Sequence, residues 1–182
     1  MQKITIAAIS AAVAAGIIGT ILYFGPLFAT AEPDSGGGQQ EVITERGPQV
    51  NNGSGYRQVN VTINNVTLVA DIADTNELRS KGLSVKDTLN ETQGMLFVFS
   101  TEREHSFWMK GMKFPIDIIW LDDDKEVIHV EHSLEPCNLG SSCPTYGPDR
   151  GSLYVLETVA GFAQKYNVTE NTYVDFQLDE EE

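Results

Sequence analysis

Residues 57–73, "RQVNVTINNVTLVADIA", are two alternating runs joined by two asparagines. In the first run Arg57, Val59, Val61 and Ile63 face one way, and Gln58, Asn60 and Thr62 the other. Alternation with a period of two marks a half-buried strand. Asn64 and Asn65 suit a two-residue turn, because asparagine tolerates the positive φ angles such turns require. The stretch therefore predicts a β-hairpin, with Asn60 on its polar face and Asn65 at its turn.

The chain downstream continues in the same style. Asp74 is placed to cap a short helix, Glu77 follows three residues later as in a capping box, and Gly82 ends it. "GMLFVF" (94–99) is apolar on both faces and reads as a buried strand. Residues 105–110 and 115–121 read as further strands, and "DDDK" (122–125) as the turn into "EVIHVEH". That acidic run lacks the glycine, spacing and distal glutamate of a calcium loop. "SLYVLETV" is a strand and "AGFAQKY" a short helix, on which Phe162 and Tyr166 share a face. "TYVDFQL" closes the chain as an alternating strand. Some eight short strands and two short helices predict an α+β, mostly β domain, a compact barrel-like antiparallel sheet.

Upstream the composition changes. Residues 4–24, "ITIAAISAAVAAGIIGTILYF", carry no charge and match the roughly 20 residues that span a bilayer core. They predict one transmembrane helix within residues 1–25. Lys3 at its start favours a cytoplasmic N-terminus and an outside domain. The alternative is a secretory signal cleaved near Ala31, after "ATA". Residues 26–56 are rich in Gly, Pro, Asn and Gln and read as a flexible linker, which leaves residues 57–182 as the domain.

Five Asn-x-Ser/Thr sequons agree with export: Asn52, Asn60, Asn65, Asn90 and Asn167. The only cysteines, Cys137 and Cys143, lie six apart, a spacing that suits one disulfide closing a tight loop. Redox-active thiols or a metal are the alternatives. The net charge of −14 repels phosphate backbones and argues against a nucleic-acid partner.

Period-two bookkeeping isolates two carboxylates. Asp117 lies on an apolar stripe with Ile119 and Leu121, and Glu157 on another with Leu153, Val155 and Val159. A buried carboxylate needs hydrogen bonds or an ion pair. One reading is structural, with Arg79 or Lys110 pairing one carboxylate and backbone N–H groups satisfying the other. The competing reading is a paired acid/base site, hence an envelope hydrolase. No nucleophile with an adjacent base is visible, so no catalytic residue is assigned. His105, Met109 and Met112 raise copper handling as a further alternative, since imidazole and thioether suit that metal. Filling of the core by Met is the commoner role. No cofactor is called for.

"LRSKGLS", "GMLFVF", "FWMKGMKFPIDIIWLD", "PC…CPTYGP" and "YVLETVAGFAQKY" occur in that order between residues 79 and 176. In this the chain resembles domain-of-unknown-function family 192. The resemblance implies a small β-rich, barrel-like fold, exported or membrane-tethered in prokaryotes, with no established activity. It makes Arg79, Gly82, Gly94, Met95, Trp108, Met109, Lys110, Pro115, Asp117, Glu157 and Gly161 signature positions. Gly111 and Met112 depart from the family's usual Asn-Thr. The sequence thus predicts an anchored extracytoplasmic module that binds an envelope glycan or peptide around Arg79, Trp108, Lys110, Asp117 and Glu157.

Overall fold

The computed structural model describes residues 55–179 apart from Leu139 and Ser141. The expected anchor, the linker up to residue 54 and the Asn52 sequon lie outside the described residues. Nine strands, two short α-helices and one 3-10 turn are formed among the described residues. Seven strands make one curled, half-barrel sheet in the order β6-β5-β8-β3-β2-β1-β9.

The hairpin forms as its sequence dictates. β1 (Gln58–Ile63) pairs antiparallel with β2 (Val66–Ala73), Ile63 opposite Val66. Asn64 and Asn65 between them hold φ angles of 44° and 66°. Both are left-handed, which matches the right-handed twist of the flanking strands. Asn64 also donates from Nδ2 to the carbonyls of Tyr166 and Asn167, at 3.0 and 2.9 Å.

The helix that follows, α1 (Asn76–Lys81), starts one residue later than expected. Thr75, not Asp74, is the cap, and its Oγ1 accepts from the Leu78 N–H at 3.2 Å. Glu77 therefore falls outside a capping box. Asp74 is instead ion-paired with Arg57. Gly82 ends the helix with φ 50°, and the 3-10 turn Gly82–Val85 follows.

This excursion changes the sheet. It returns the chain to the end where β2 began, so β3 (Gln93–Arg103) runs parallel to β2, Val69 opposite Gln93. A parallel pair needs a crossover of a dozen or more residues, and residues 74–92 supply it. The expectation of a wholly antiparallel sheet is corrected at that one pair.

The expected strand over 105–110 shrinks to β4 (Phe107–Trp108), which pairs with β7 (Thr145–Tyr146) in a separate two-stranded sheet. β5 (Ile116–Leu121), β6 (Val127–Leu134) and β8 (Ser152–Val159) follow expectation, with β5 between the other two. The helix α2 (Phe162–Lys165) comes next, its Phe162 ring 4.8 Å from that of Tyr166. The final strand shortens to β9 (Val174–Asp175), although Val174 and Phe176 still alternate inward.

All six residues of β5 are buried, because both faces of the sheet are covered there. One face carries Val61, Leu68, Ile72, Leu96, Ile119, Leu121 and Leu156, closed over by Phe162, Val174 and Phe176. The other carries Met95, Phe97, Ile116, Ile118, Trp120 and Val155, covered by Leu83, Leu89, Phe107, Met109 and Tyr146. The sheet's two ends also meet. Val127 donates to the Thr172 carbonyl at 2.9 Å, Asn171 to that of Val127 at 2.8 Å, and Val174 to that of Lys125 at 3.0 Å.

Both turn asparagines are expected to resist substitution unequally. Asn65→Ala should cost about 1–2 kcal/mol of unfolding free energy from left-handed backbone strain. Asn64→Ala should cost more, since it also loses two hydrogen bonds worth about 0.5–1.5 kcal/mol each. Urea denaturation of the two variants checks the order.

Candidate functional site

Asp117 is the second residue of β5 and is fully buried. Its Oδ1 accepts from Ser133 N at 2.7 Å and Gly161 N at 3.0 Å, and its Oδ2 from Ala163 N at 2.8 Å. Backbone geometry delivers these donors. β6 holds one extra residue against β5 between Leu134 and Glu131, and in that bulge Ser133 adopts φ 49°. Gly161, at φ 83°, caps α2 and turns its own N–H inward. Neither Arg79 nor Lys110 pairs with Asp117. Its role is to join β5, β6 and α2.

Glu157 lies on the opposite face. Cross-strand partners share a face; Asp117 is opposite Thr158, whereas Glu157 is opposite Ile118 and Met95. The two carboxylates therefore point to different sides of the sheet, which gives the alternative of a paired acid/base site no geometric support, while backbone N–H groups satisfy Asp117 as the structural reading has it. Glu157 is 5% exposed, and its Oε2 has no hydrogen-bond partner. Burial pushes its carboxyl up to about 8, so it is neutral at pH 7.

A second buried carboxylate does share Glu157's face. The ladder runs Gln58, Asp71, Met95, Glu157, Ile118, which puts Met95 between the two acids. Asp71 is 2% exposed, ion-paired to Lys86 Nζ at 2.7 Å, and accepts from Gln58 Nε2 at 2.8 Å. The buried Tyr56 hydroxyl titrates above its ordinary range, chiefly through burial, with Asp71 and Glu77 adding to the rise against Lys81. The period-two test that singled out Asp117 and Glu157 would also have flagged Asp71, which alternates with Val69 and Ala73.

The segment that crosses this face carries the remaining candidates. The Phe107 ring meets those of Phe97 and Trp120 edge-on at 4.9 and 6.0 Å. Trp108, the next residue, points outward and is 57% exposed. Lys110 Nζ sits 5.1 Å from the centre of the Trp108 ring. The expected disulfide joins Cys137 to Cys143. Cys137 donates to the Met109 carbonyl at 2.9 Å, and Gly111 to the Cys137 carbonyl at 3.3 Å. Gly111 holds φ 76°, a conformation that asparagine also tolerates, so its departure from the family's usual Asn preserves the backbone here.

Arg79 is held elsewhere. Its guanidinium donates to the Val98 carbonyl and to Asn76 Oδ1, each at 2.7 Å, and lies 5.2 Å from the Phe99 ring centre. His105 stacks on that ring at 3.4 Å, its Nε2 3.4 Å from the Thr101 carbonyl. Burial lowers the His105 pKa from its ordinary value. Met109 is buried in the same apolar cluster and Met112 packs partly against it. The five expected site residues thus divide. Trp108 and Lys110 form one surface, while Arg79, Asp117 and Glu157 each stand apart. An open groove of about 450 Å³ lies between β6 and α2, lined by His132, Ala163, Gln164, Asn167, Val168 and Thr169.

A family model for DUF192, described as "Uncharacterized ACR", matches residues 59–176. The chain is 28% identical over 110 residues to a UPF0127 protein of Thermococcus sibiricus, covering 60% of this chain and 67% of that one. A crystal structure of a protein of unknown function from Novosphingobium aromaticivorans is 25% identical, with a TM-score of 0.63, over 76% of this chain and 99% of that one. A proposed transcription regulator from Sinorhizobium meliloti is 23% identical with a TM-score of 0.61, over 66% and 95%. That likeness shows the fold alone. The chain belongs to DUF192.

Two outcomes follow from the carboxylates. Asp117→Ala removes the acceptor of three backbone N–H groups, that of Ala163 buried (about 1–3 kcal/mol) and those of Ser133 and Gly161 part-buried (about 0.5–1.5 kcal/mol each), so a loss of roughly 2–6 kcal/mol is expected in denaturant unfolding. For Glu157 the folded pKa of about 8 exceeds the ordinary value of 4.5, so the folded state retains a proton that the unfolded chain releases. Its contribution to stability is whole below pH 4.5, falls as pH rises to about 8, and is flat above. The slope in that window is about 1.4 kcal/mol per pH unit at most. Glu157→Gln should remove this slope; an unchanged slope in the variant would assign it to other groups.

Proposed function

We propose that this DUF192 member is a non-catalytic, membrane-tethered extracytoplasmic module that binds an envelope glycan or peptide through the Trp108–Lys110 surface. The observation that carries the reading is the exposed Trp108 ring beside the Lys110 ammonium. The segment that presents them hydrogen-bonds to the Cys137 backbone next to the disulfide. An indole face held rigidly in solvent suits the apolar faces of sugars and the side chains of extended peptides. Lys110 adds a cation beside it, which suits acidic groups on either ligand. The uncharged residues 4–24 support the tether, and the linker behind them gives a reach of roughly 30 Å. A hydrolase reading has no support in the placement of Asp117 and Glu157 on opposite faces.

The chain's two tryptophans make the test direct. Trp108 is exposed and Trp120 fully buried, so a ligand that covers the surface changes the emission of one and not the other. Titration of the full chain with cell-wall oligosaccharides and acidic peptides should quench or blue-shift the exposed component. Calorimetric titration of Trp108→Ala should then show binding lost with folding intact, and Lys110→Ala should weaken acidic ligands about tenfold, roughly 1.4 kcal/mol. Unaltered binding by the Trp108 variant would overturn the assignment.

A further inference from the structure

Four sequons that are scattered in the sequence come together in the fold. Asn60, Asn65, Asn90 and Asn167 are all exposed. Asn65 sits at the β1–β2 turn, where Asn64 reaches the carbonyls of Tyr166 and Asn167. Tyr166 in turn donates its hydroxyl to Glu91 Oε1 at 2.6 Å, and Lys165 pairs with the same carboxylate. Glu91 is the middle residue of the Asn90 sequon. The Asn65, Asn90 and Asn167 sites are thus tied to one another by direct hydrogen bonds and one ion pair.

Asn60 joins them through the sheet. It is opposite Val69, which is opposite Gln93, and Gln93 N donates to the Asn90 carbonyl at 2.9 Å. Two strand spacings of about 4.8 Å put Asn60 roughly 10 Å from Gln93. Val69, between them, is 40% exposed and is one of few large apolar residues on the described surface. The threonines of two sequons, Thr62 and Thr67, face each other across the hairpin with their hydroxyls 2.9 Å apart. The described chain begins at Gly55, before the other end of β1, six residues or about 20 Å from the turn.

We propose that Asn60, Asn65, Asn90 and Asn167 carry N-linked glycans, which together cover the hairpin end of the domain and its exposed Val69. The proposal rests on the export part of the function above. A hydrophilic cap at this end lies away from the point where the chain enters the domain. It leaves each asparagine side chain pointing to solvent, with the third residue of each sequon a threonine.

The test uses the full chain isolated from the cells that produce it, read by intact mass and glycopeptide mapping. The sequence alone gives 20.0 kDa. Thr62→Val, Thr67→Val, Thr92→Val and Thr169→Val remove one sequon each. They leave in place Asn65 and Asn167, whose φ angles of 66° and 53° glutamine would tolerate poorly. The expected result is sugar on at least three of the four asparagines, with one glycan mass lost per threonine variant. Sugar on two or fewer overturns the cluster. Protease added to intact cells separates this from export. A chain that is cleaved but unmodified overturns the glycans and leaves the export reading standing; a protected, unmodified chain overturns both.

Discussion

One carboxylate sets the geometry on which the helical side of this domain depends. Asp117 sits at the start of the fully buried strand β5 and collects N–H groups from three places in the chain: the β6 bulge, the residue before α2 and the first turn of α2. The Ala163 N–H, buried, would otherwise be unpaired in an apolar setting, and those of Ser133 and Gly161 are part-buried. The left-handed Ser133 in the bulge is sterically costly alone, and the shared acceptor offsets that cost, whereas Gly161 adopts its positive φ freely. From α2 the chain runs through Tyr166 and Asn167, where Asn64 holds it. The hairpin end of the sheet is therefore positioned, at one remove, by a side chain on the far strand.

Glu157 is the counterexample within the same sheet. Its backbone pairs normally on both sides, yet its side chain enters an apolar layer between Met95 and Ile118 with no donor waiting. The carboxyl responds by holding its proton. The difference lies in which face each side chain enters. On Asp117's side a helix N-terminus and a bulge present free N–H groups, whereas aromatic and aliphatic side chains cover Glu157's side.

Much of the domain was legible because β-structure writes itself at a period of two. The β1–β2 hairpin and strands β5 and β8 stand where the alternation put them, and the split of Ile118 and Trp120 from Ile119 and Leu121 holds across the sheet. The parallel pairing of β2 with β3 was not legible. Direction depends on where a connection lands, and residues 74–92 carry no local mark of that. Which side of the sheet the two carboxylates share or do not share was not legible for a related reason. Period two gives the face of each residue within its own strand, but the phase between β5 and β8 comes only from their register, Ile118 against Glu157. Trp108 was legible as a candidate from its place among the signature positions, beside Lys110. Its outward aim was fixed by the short β4–β7 pair, which no local pattern announced.

The meeting of the sheet's ends has a consequence for the order of assembly. β1 is made early in the domain, but its outer neighbour β9 and the Asn171–Val174 contacts to Lys125 and Val127 come from residues made after every other strand of the sheet. During synthesis, the outer side of β1 and the start of β6 both wait with open backbone groups, which are templates for adventitious strand addition. The hairpin and the central strands have partners in hand sooner. A nascent chain stopped before residue 171 would have most of its strands and neither end of its sheet sealed, so the short stretch around β9 decides whether those ends are paired or left open to strand addition.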